Sequence, residues 1–212
     1  MSAHGGQSAC LKWGNLKQAG AHVPILGPVI GDGFPDVLAA AQGGSEAAFA
    51  QLWRDANPAL LRYLRVISTD GADDVAAETW VQVVRGLPKF RGDETAWRAW
   101  LFTTARRRAI DAVRRGVRRP QAPLTDLPAS RHPIAPDPAD LALENLSTES
   151  ALALVSKLPR LQGEVILLRV VAGLDTESVA RMVGRSPGAV RVAAHRGLRT
   201  LAQLLTTEGV TL

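Results

Sequence analysis

Hydrophobic residues recur every three or four positions over two long stretches of the chain, and this spacing is typical of amphipathic α-helices. The first stretch covers residues 34–115 and is interrupted by glycine-rich or proline-containing breaks at 43–45, 70–71 and 88–93. These breaks predict separate helices, including one from about 72 to 87 and one from about 95 to 115. The second stretch begins at residue 148 and leads into a final pair of helices. A strand pattern of period two does not occur, so the sequence predicts an all-α protein.

A proline-rich segment separates the two helical stretches. Because proline lacks a backbone N–H and fixes φ, such a segment cannot hold a long helix and is expected to act as a semi-extended linker. The sequence therefore predicts two small helical domains, 34–115 and 148–205, joined by a linker at 116–147. The segments 1–33, with seven glycines, and 206–212 are interpreted as flexible tails. The linker prolines are Pro120, Pro123, Pro128, Pro133, Pro136 and Pro138. On such a tether, the two domains are expected to move independently.

The composition narrows the class of protein. The chain has 212 residues and is 46% hydrophobic, which is enough for a packed core and excludes general disorder. Its one cysteine, Cys10, cannot form an intramolecular disulfide, and no Cys/His cluster has zinc-site spacing. The longest apolar run near the N-terminus, 23–30, is broken by proline and glycine and falls short of the roughly 20 residues that span a bilayer. We therefore expect a cytoplasmic protein without membrane insertion, metal or cofactor.

The position of the charges is more informative than the net charge of +5. Residues 70–82 contain four acidic residues and no basic one, whereas 97–119 contain eight arginines and one acid. A third segment, 186–201, contains three arginines and no acid. One acidic and two basic surfaces on separate helices indicate a protein partner for the acidic helix and nucleic acid at two places.

The C-terminal helix pair has the pattern of a helix-turn-helix. Asp175 and Ser186 stand where each helix would need an N-cap, Pro187 takes the first position of the second helix, and Gly184 fits the tight turn between them. The last helix then combines an apolar side with a basic side, as expected for a helix in the DNA major groove. An ordinary helical hairpin with a solvated basic face is the alternative. The basic side comprises Arg191, His195, Arg196 and Arg199.

Three blocks, 70–90, 97–115 and the helix-turn-helix, occur in this order, and together they resemble the extracytoplasmic-function (ECF) sigma factors of bacterial RNA polymerase. The resemblance implies two conserved domains joined by a variable linker. It also implies a non-enzymatic subunit that binds core RNA polymerase, recognises promoter DNA and initiates transcription. A regulatory anti-sigma factor is a further partner that the resemblance implies.

The resemblance also assigns roles to residues. The docking surface for core polymerase would comprise Asp73, Asp74 and Glu78. The −10 promoter element would be bound by Trp97, Trp100, Arg106, Arg107, Arg108, Arg114 and Arg115. The −35 element would be bound by Ser186, Arg191, Val192, Ala193, His195, Arg196 and Arg199. Val192 and Ala193 stand where the family often has polar or basic residues, so they could offer only apolar contacts, for example to a thymine methyl group.

Two other functions remain open at this stage. A helix-turn-helix repressor or activator that acts without polymerase would need a dimer surface to read two half-sites. A phosphodiesterase could use Asp73, Asp74 and Glu78 as Mg²⁺ ligands. However, none of the four histidines lies near these carboxylates in the sequence, and no glycine-rich phosphate loop is evident.

Overall fold

The computed structural model describes residues 30–68, 71–118 and 148–207, with the backbone alone for 116–118. The described residues form eight α-helices and no strand, which confirms the all-α prediction. Of the predicted tails, 1–33 and 206–212, residues 1–29 and 208–212 lie outside the described residues, as does almost all of the predicted linker. Residues 31–33 form a short 3₁₀ turn and residues 206–207 belong to the last helix.

The first module has four helices. They are α1 (Phe34–Gln42), α2 (Glu46–Ile67), α3 (Ala72–Gly86) and α4 (Glu94–Arg118). The Ser45 hydroxyl accepts a hydrogen bond from the Ala48 N–H at 3.3 Å and so caps the start of α2. Side chains from α2, α3 and α4 meet in the core. Those with no exposed surface are Leu52, Ala56, Leu60, Tyr63, Leu64, Thr79, Val83, Trp97, Leu101, Phe102 and Ala105.

The second module also has four helices. They are α5 (148–156), α6 (Arg160–Ile166), α7 (Thr176–Val183) and α8 (Pro187–Thr207). A π-helical turn, Leu167–Val171, continues α6. Helix α8 crosses α6 closely at Gly197, where an added Cβ would lie 2.6 Å from the Ile166 Cδ1. Glycine therefore allows the two helices to approach.

The two modules pack against each other. Helix α2 contacts α6 and its π-helical turn, and α4 contacts α7. Every residue from 163 to 168 is buried, as expected for a helix held between two layers, here α8 on one side and α2 on the other. The expectation of independently moving modules is thus corrected for this structure.

Candidate nucleic-acid and protein interfaces

The helix-turn-helix of α7 and α8 forms as the sequence predicts. The Asp175 carboxylate accepts hydrogen bonds from the Ser178 N–H at 2.7 Å and from the Ser178 hydroxyl at 2.9 Å. Partial burial alone would raise the pKa of Asp175, but these hydrogen bonds and the nearby Arg181 outweigh it and lower the pKa below its ordinary value. Gly184 ends α7 with φ of 66°, and the Ser186 hydroxyl accepts from the Ala189 N–H at 3.2 Å to begin α8. Local capping therefore sets the angle at which α8 leaves the turn.

Helix α8 has a buried side and an exposed basic side. Val190, Ala193 and Gly197 are buried. The proposed DNA contact of Ala193 is therefore corrected, because this residue lies one turn after Val190 and faces the core. The Arg191 guanidinium is 3.7 Å from the Glu177 carboxylate of α7, an exposed pair that DNA phosphate could displace at little cost. The exposed residues of the predicted −35 set are Ser186, Arg191, Val192, His195, Arg196 and Arg199.

The two tryptophans of α4 differ in exposure. Trp97 has no exposed surface and packs edge-on against Phe90, with ring centres 5.8 Å apart. The sequence assignment of Trp97 to DNA is thus corrected: its ring belongs to the core. Trp100 is partly exposed and stacks on Phe90 at 5.1 Å. The exposed part of the Trp100 indole is accessible to a nucleic acid, and stacking on Phe90 fixes its orientation.

A cavity of about 520 Å³ lies between α3 and α4, beside the Trp100 ring. An added Cβ at Gly86 would lie 2.7 Å from the Trp100 Cζ2, so this glycine lets the indole lie against α3. Arginines, an indole and neutral hydrogen-bonding groups together suit phosphates and unstacked bases. Sequence reasoning found only the α4 arginines and Trp100. The lining residues are Gln82, Arg85, Gly86, Trp100, Thr104, Arg107, Arg108 and Asp111.

The α3 side of this cavity could have been recognised from spacing. Gln82 and Arg85 follow Glu78 at four and seven residues, so the three share a helix face. The sequence prediction did not include that face, because it was based on the carboxylates of 70–82 alone.

The acidic residues of α3 fall into two environments. Asp73 and Asp74 lie exposed in its first turn. Glu78 is half-buried, and its carboxylate is 3.2 Å from the Arg115 guanidinium and 3.9 Å from that of Arg108. A residue predicted to bind a protein is therefore paired with two residues predicted to bind DNA.

Arg106 differs from the other predicted arginines of α4. Its Nε donates to Glu164 Oε1 of the second module at 2.7 Å. Burial favours the neutral form of Arg106, but the hydrogen bond and charge of Glu164 outweigh it and raise the pKa of the guanidinium. Arg107, Arg114 and Arg115 are exposed and Arg108 is partly exposed, so Arg106 alone among the five is occupied by the other module.

Within the described parts of the chain, no three His, Cys, Asp or Glu residues are grouped so that they could hold a metal ion. None of the described helices is both long enough and apolar enough to cross a membrane.

Comparison with known proteins gives consistent matches over both modules. Residues 52–119 match the family described as Sigma-70 region 2, and residues 148–201 match Sigma-70 region 4. The chain is 33% identical over 185 residues to the ECF RNA polymerase sigma factor SigD of Mycobacterium tuberculosis, covering 84% of this chain and 87% of SigD. It is 34% identical over 172 residues to ShbA of Streptomyces griseus, another ECF RNA polymerase sigma factor, covering 76% and 89% of the two chains.

Two solved structures share the fold. CnrH, in complex with the cytosolic domain of CnrY, aligns with a TM-score of 0.56 and 24% identity over 83% of this chain and 99% of its own. The sigma factor RpoE of Bartonella quintana, in complex with the anti-sigma factor NepR, aligns with a TM-score of 0.51 and 21% identity, over 74% and 96% of the two chains.

Proposed function

The chain belongs to the ECF sigma factors, the subunits that bind core RNA polymerase and direct promoter recognition, and from that premise we propose how its surfaces share this work. Members of the family are generally regulators that are not enzymes, and we extend this to the present chain, without catalytic activity or cofactor. Its place of action would be the cytoplasm, where core polymerase transcribes. The proposed divisions of the chain are 34–115 for polymerase and the −10 element and 148–205 for the −35 element.

The observation that carries the proposal is the cavity between α3 and α4. Trp100 offers a flat face to an unstacked base, while Arg107 and Arg108 stand beside it for the strand backbone. Base–aromatic stacking is worth about 1–3 kcal/mol per base, which offsets part of the cost of separating a base pair. This side of the first module would therefore hold one strand of the opened −10 element, with Arg114 and Arg115 farther along α4.

The −35 element would be read by the exposed side of α8. Arg191, His195 and Arg199 recur at four-residue steps and would face the major groove together. Val192 is exposed and apolar, so it would contact a thymine methyl group rather than a hydrogen-bonding edge.

The outer face of α3 would dock on core polymerase. Asp73 and Asp74 are exposed at its N-terminus, and the exposed Val81 lies two turns beyond Asp74 on the same face. Carboxylates beside an apolar side chain suit a basic and apolar protein surface.

An anti-sigma factor would regulate the chain. The supporting observation is that RpoE, which shares the fold, was solved in complex with the anti-sigma factor NepR. At 21% identity, RpoE shares the fold with this chain. Co-purification of an anti-sigma factor with this protein from native cells would test the proposed regulation.

Transcription by purified core polymerase, with and without this protein, on a library of genomic fragments tests the function. Protein-dependent transcripts from a shared promoter pattern are expected. Binding to bare duplex promoters, with a symmetric footprint and no effect on core polymerase, would instead indicate a conventional helix-turn-helix regulator.

The division between modules is tested by alanine substitution. Arg107→Ala with Arg108→Ala should reduce permanganate reactivity of the −10 element and leave the choice of upstream sequence unchanged. Arg191→Ala should cost about 1–3 kcal/mol if it makes a bidentate base contact, and only on promoters that retain the −35 element. Arg65→Ala, an exposed arginine of α2, is the matched control. Exchange of these two phenotypes would refute the assignment.

A further inference from the structure

A buried carboxylate joins the two modules. Glu164 lies in α6 and is only 6% exposed. Its Oε1 accepts hydrogen bonds from the Tyr63 hydroxyl at 3.2 Å and from the Arg106 Nε at 2.7 Å. Both donors belong to the first module, so the partners of this carboxylate come from across the interface.

The surroundings make these contacts costly to lose. Tyr63 has no exposed surface and packs edge-on against Phe102, with ring centres 5.4 Å apart. Burial, reinforced by the charge of Glu164, raises the pKa of the Tyr63 hydroxyl well above its usual value. Removing one partner of a buried charge pair leaves an uncompensated charge, so the closed arrangement, in which the two modules are in contact, depends on all three groups together.

The closed arrangement is too short to read a whole promoter. The two elements are named for positions about 25 base pairs apart, or about 85 Å of B-DNA at ~3.4 Å per base pair. Compact domains of this size are each about 30 Å across, so two domains in contact span at most about 60 Å. The chain from residue 118 to 148 could bridge up to roughly 100 Å, so it permits the separation that promoter reading requires.

We propose that the hydrogen bonds of Glu164 to Tyr63 and Arg106, here called the latch, hold the free protein in a closed state in which Arg106 is withheld from DNA. Binding to core polymerase then separates the modules and releases Arg106. The latch in the free protein stands on the contacts above. Its opening by polymerase rests on the proposed function.

The chain contains a single tyrosine, Tyr63, which therefore reports on the latch directly. Incorporation of 3-fluorotyrosine gives one ¹⁹F resonance with the fluorine beside the latch hydroxyl. In the free protein we expect a resonance whose shift is insensitive to exchange of H₂O for D₂O. In complex with unlabelled core polymerase, we expect the same resonance to become sensitive to this exchange.

Charge reversal at Glu164 tests whether this carboxylate keeps the modules closed. Glu164→Arg should expose the fluorotyrosine in the free protein, whereas Glu149→Arg should not. Glu149 provides a matched change of charge because it is an exposed residue of the same module. The double variant Glu164→Arg/Arg106→Glu restores opposite charges and should return the resonance to its protected state. Circular dichroism on each variant distinguishes opening from unfolding, and recovery in the double variant tests the latch even if Glu164→Arg folds poorly.

Affinity for core polymerase gives a second readout, because a closed state reduces apparent affinity by the fraction of molecules that are open. Couplings of this kind are typically about 5- to 150-fold, and we expect about tenfold tighter binding for Glu164→Arg than for Glu149→Arg. The double variant should return to wild-type affinity. If it stays as tight as Glu164→Arg, the new arginine itself attracts polymerase and the latch is refuted.

The outcomes separate the latch from the sigma function. A solvent-sensitive resonance in the free wild-type protein, or equal behaviour of the Glu164 and Glu149 variants, overturns the latch whatever the protein does. A protected resonance that persists in an actively transcribing holoenzyme overturns opening by polymerase and leaves the sigma function intact. Failure to bind any core polymerase, with a protected wild-type resonance and an exposed Glu164→Arg resonance, refutes the function and its opening step while supporting the latch in the free protein.

Discussion

At the scale of single residues, the buried pair Asp55–Arg98 makes the stability of the fold depend on pH. One Asp55 oxygen lies 2.7 Å from the Arg98 guanidinium, and the other has no hydrogen-bond partner among the described residues. Burial raises the pKa of Asp55 from 3.8 to about 6; Arg98 opposes this increase and Glu94 adds to it. The native state therefore favours a protonated Asp55 more than the unfolded state does.

The sign of the resulting pH dependence follows from the raised pKa. The contribution of Asp55 to stability is fully present below pH 3.8 and is lost as the pH rises through about 6. Between pH 4.5 and pH 7, the free energy of unfolding of the wild type should fall by about 2 kcal/mol relative to Asp55→Asn. Urea unfolding of both proteins at the two pH values measures this difference. A constant difference would show that Asp55 has an ordinary pKa in the folded protein.

At the scale of elements, the acidic residues of α3 allow a test of docking on core polymerase that does not disturb the ion pairs between α3 and α4. Because Glu78 is paired with Arg108 and Arg115, its reversal would disturb both α3 and α4. Asp74→Arg avoids that complication and should weaken binding to core polymerase roughly tenfold or more, equivalent to about 1.4 kcal/mol. The control is Asp36→Arg, which changes an exposed aspartate in the first turn of α1. Equal affinity of the two variants in a pull-down titration would remove Asp74 from the interface.

Elements whose signals are local could be predicted from the sequence. The caps at Asp175 and Ser186 and the turn at Gly184 depend on nearby residues, so helix-turn-helix geometry was accessible. Burial by neighbouring helices distinguishes Trp97 from the partly exposed Trp100, and Ala193 from the exposed Val192. Spacing within one helix does not contain that information. The packing of α6 against α2 likewise depends on contacts between residues about a hundred positions apart.

At the scale of the whole molecule, the shared interface predicts cooperative unfolding. The described modules have one continuous buried cluster, and the Glu164 contacts to Tyr63 and Arg106 join them. Wild-type protein should therefore unfold in a single calorimetric transition, whereas Glu164→Arg should show two, because each module would then unfold separately. Glu149→Arg should retain one transition. Two transitions in the wild type would show that the interface adds little to stability.

The π-helical turn after α6 has a consequence for how this fold tolerates changes of length. The Ala172 N–H bonds to the Leu167 carbonyl at 3.0 Å, five residues back, so the turn accommodates one residue more than an α-helical turn. Val170, at its outer side, is exposed. Deleting Val170 should convert the turn to an ordinary α-helix and change the melting temperature by only a few degrees. Deleting Ala194 should rotate the rest of α8 by about 100° and abolish its packing. Melting curves of the two deletions would then identify the segment between α6 and α7 as a place where sequences of this fold can gain or lose a residue.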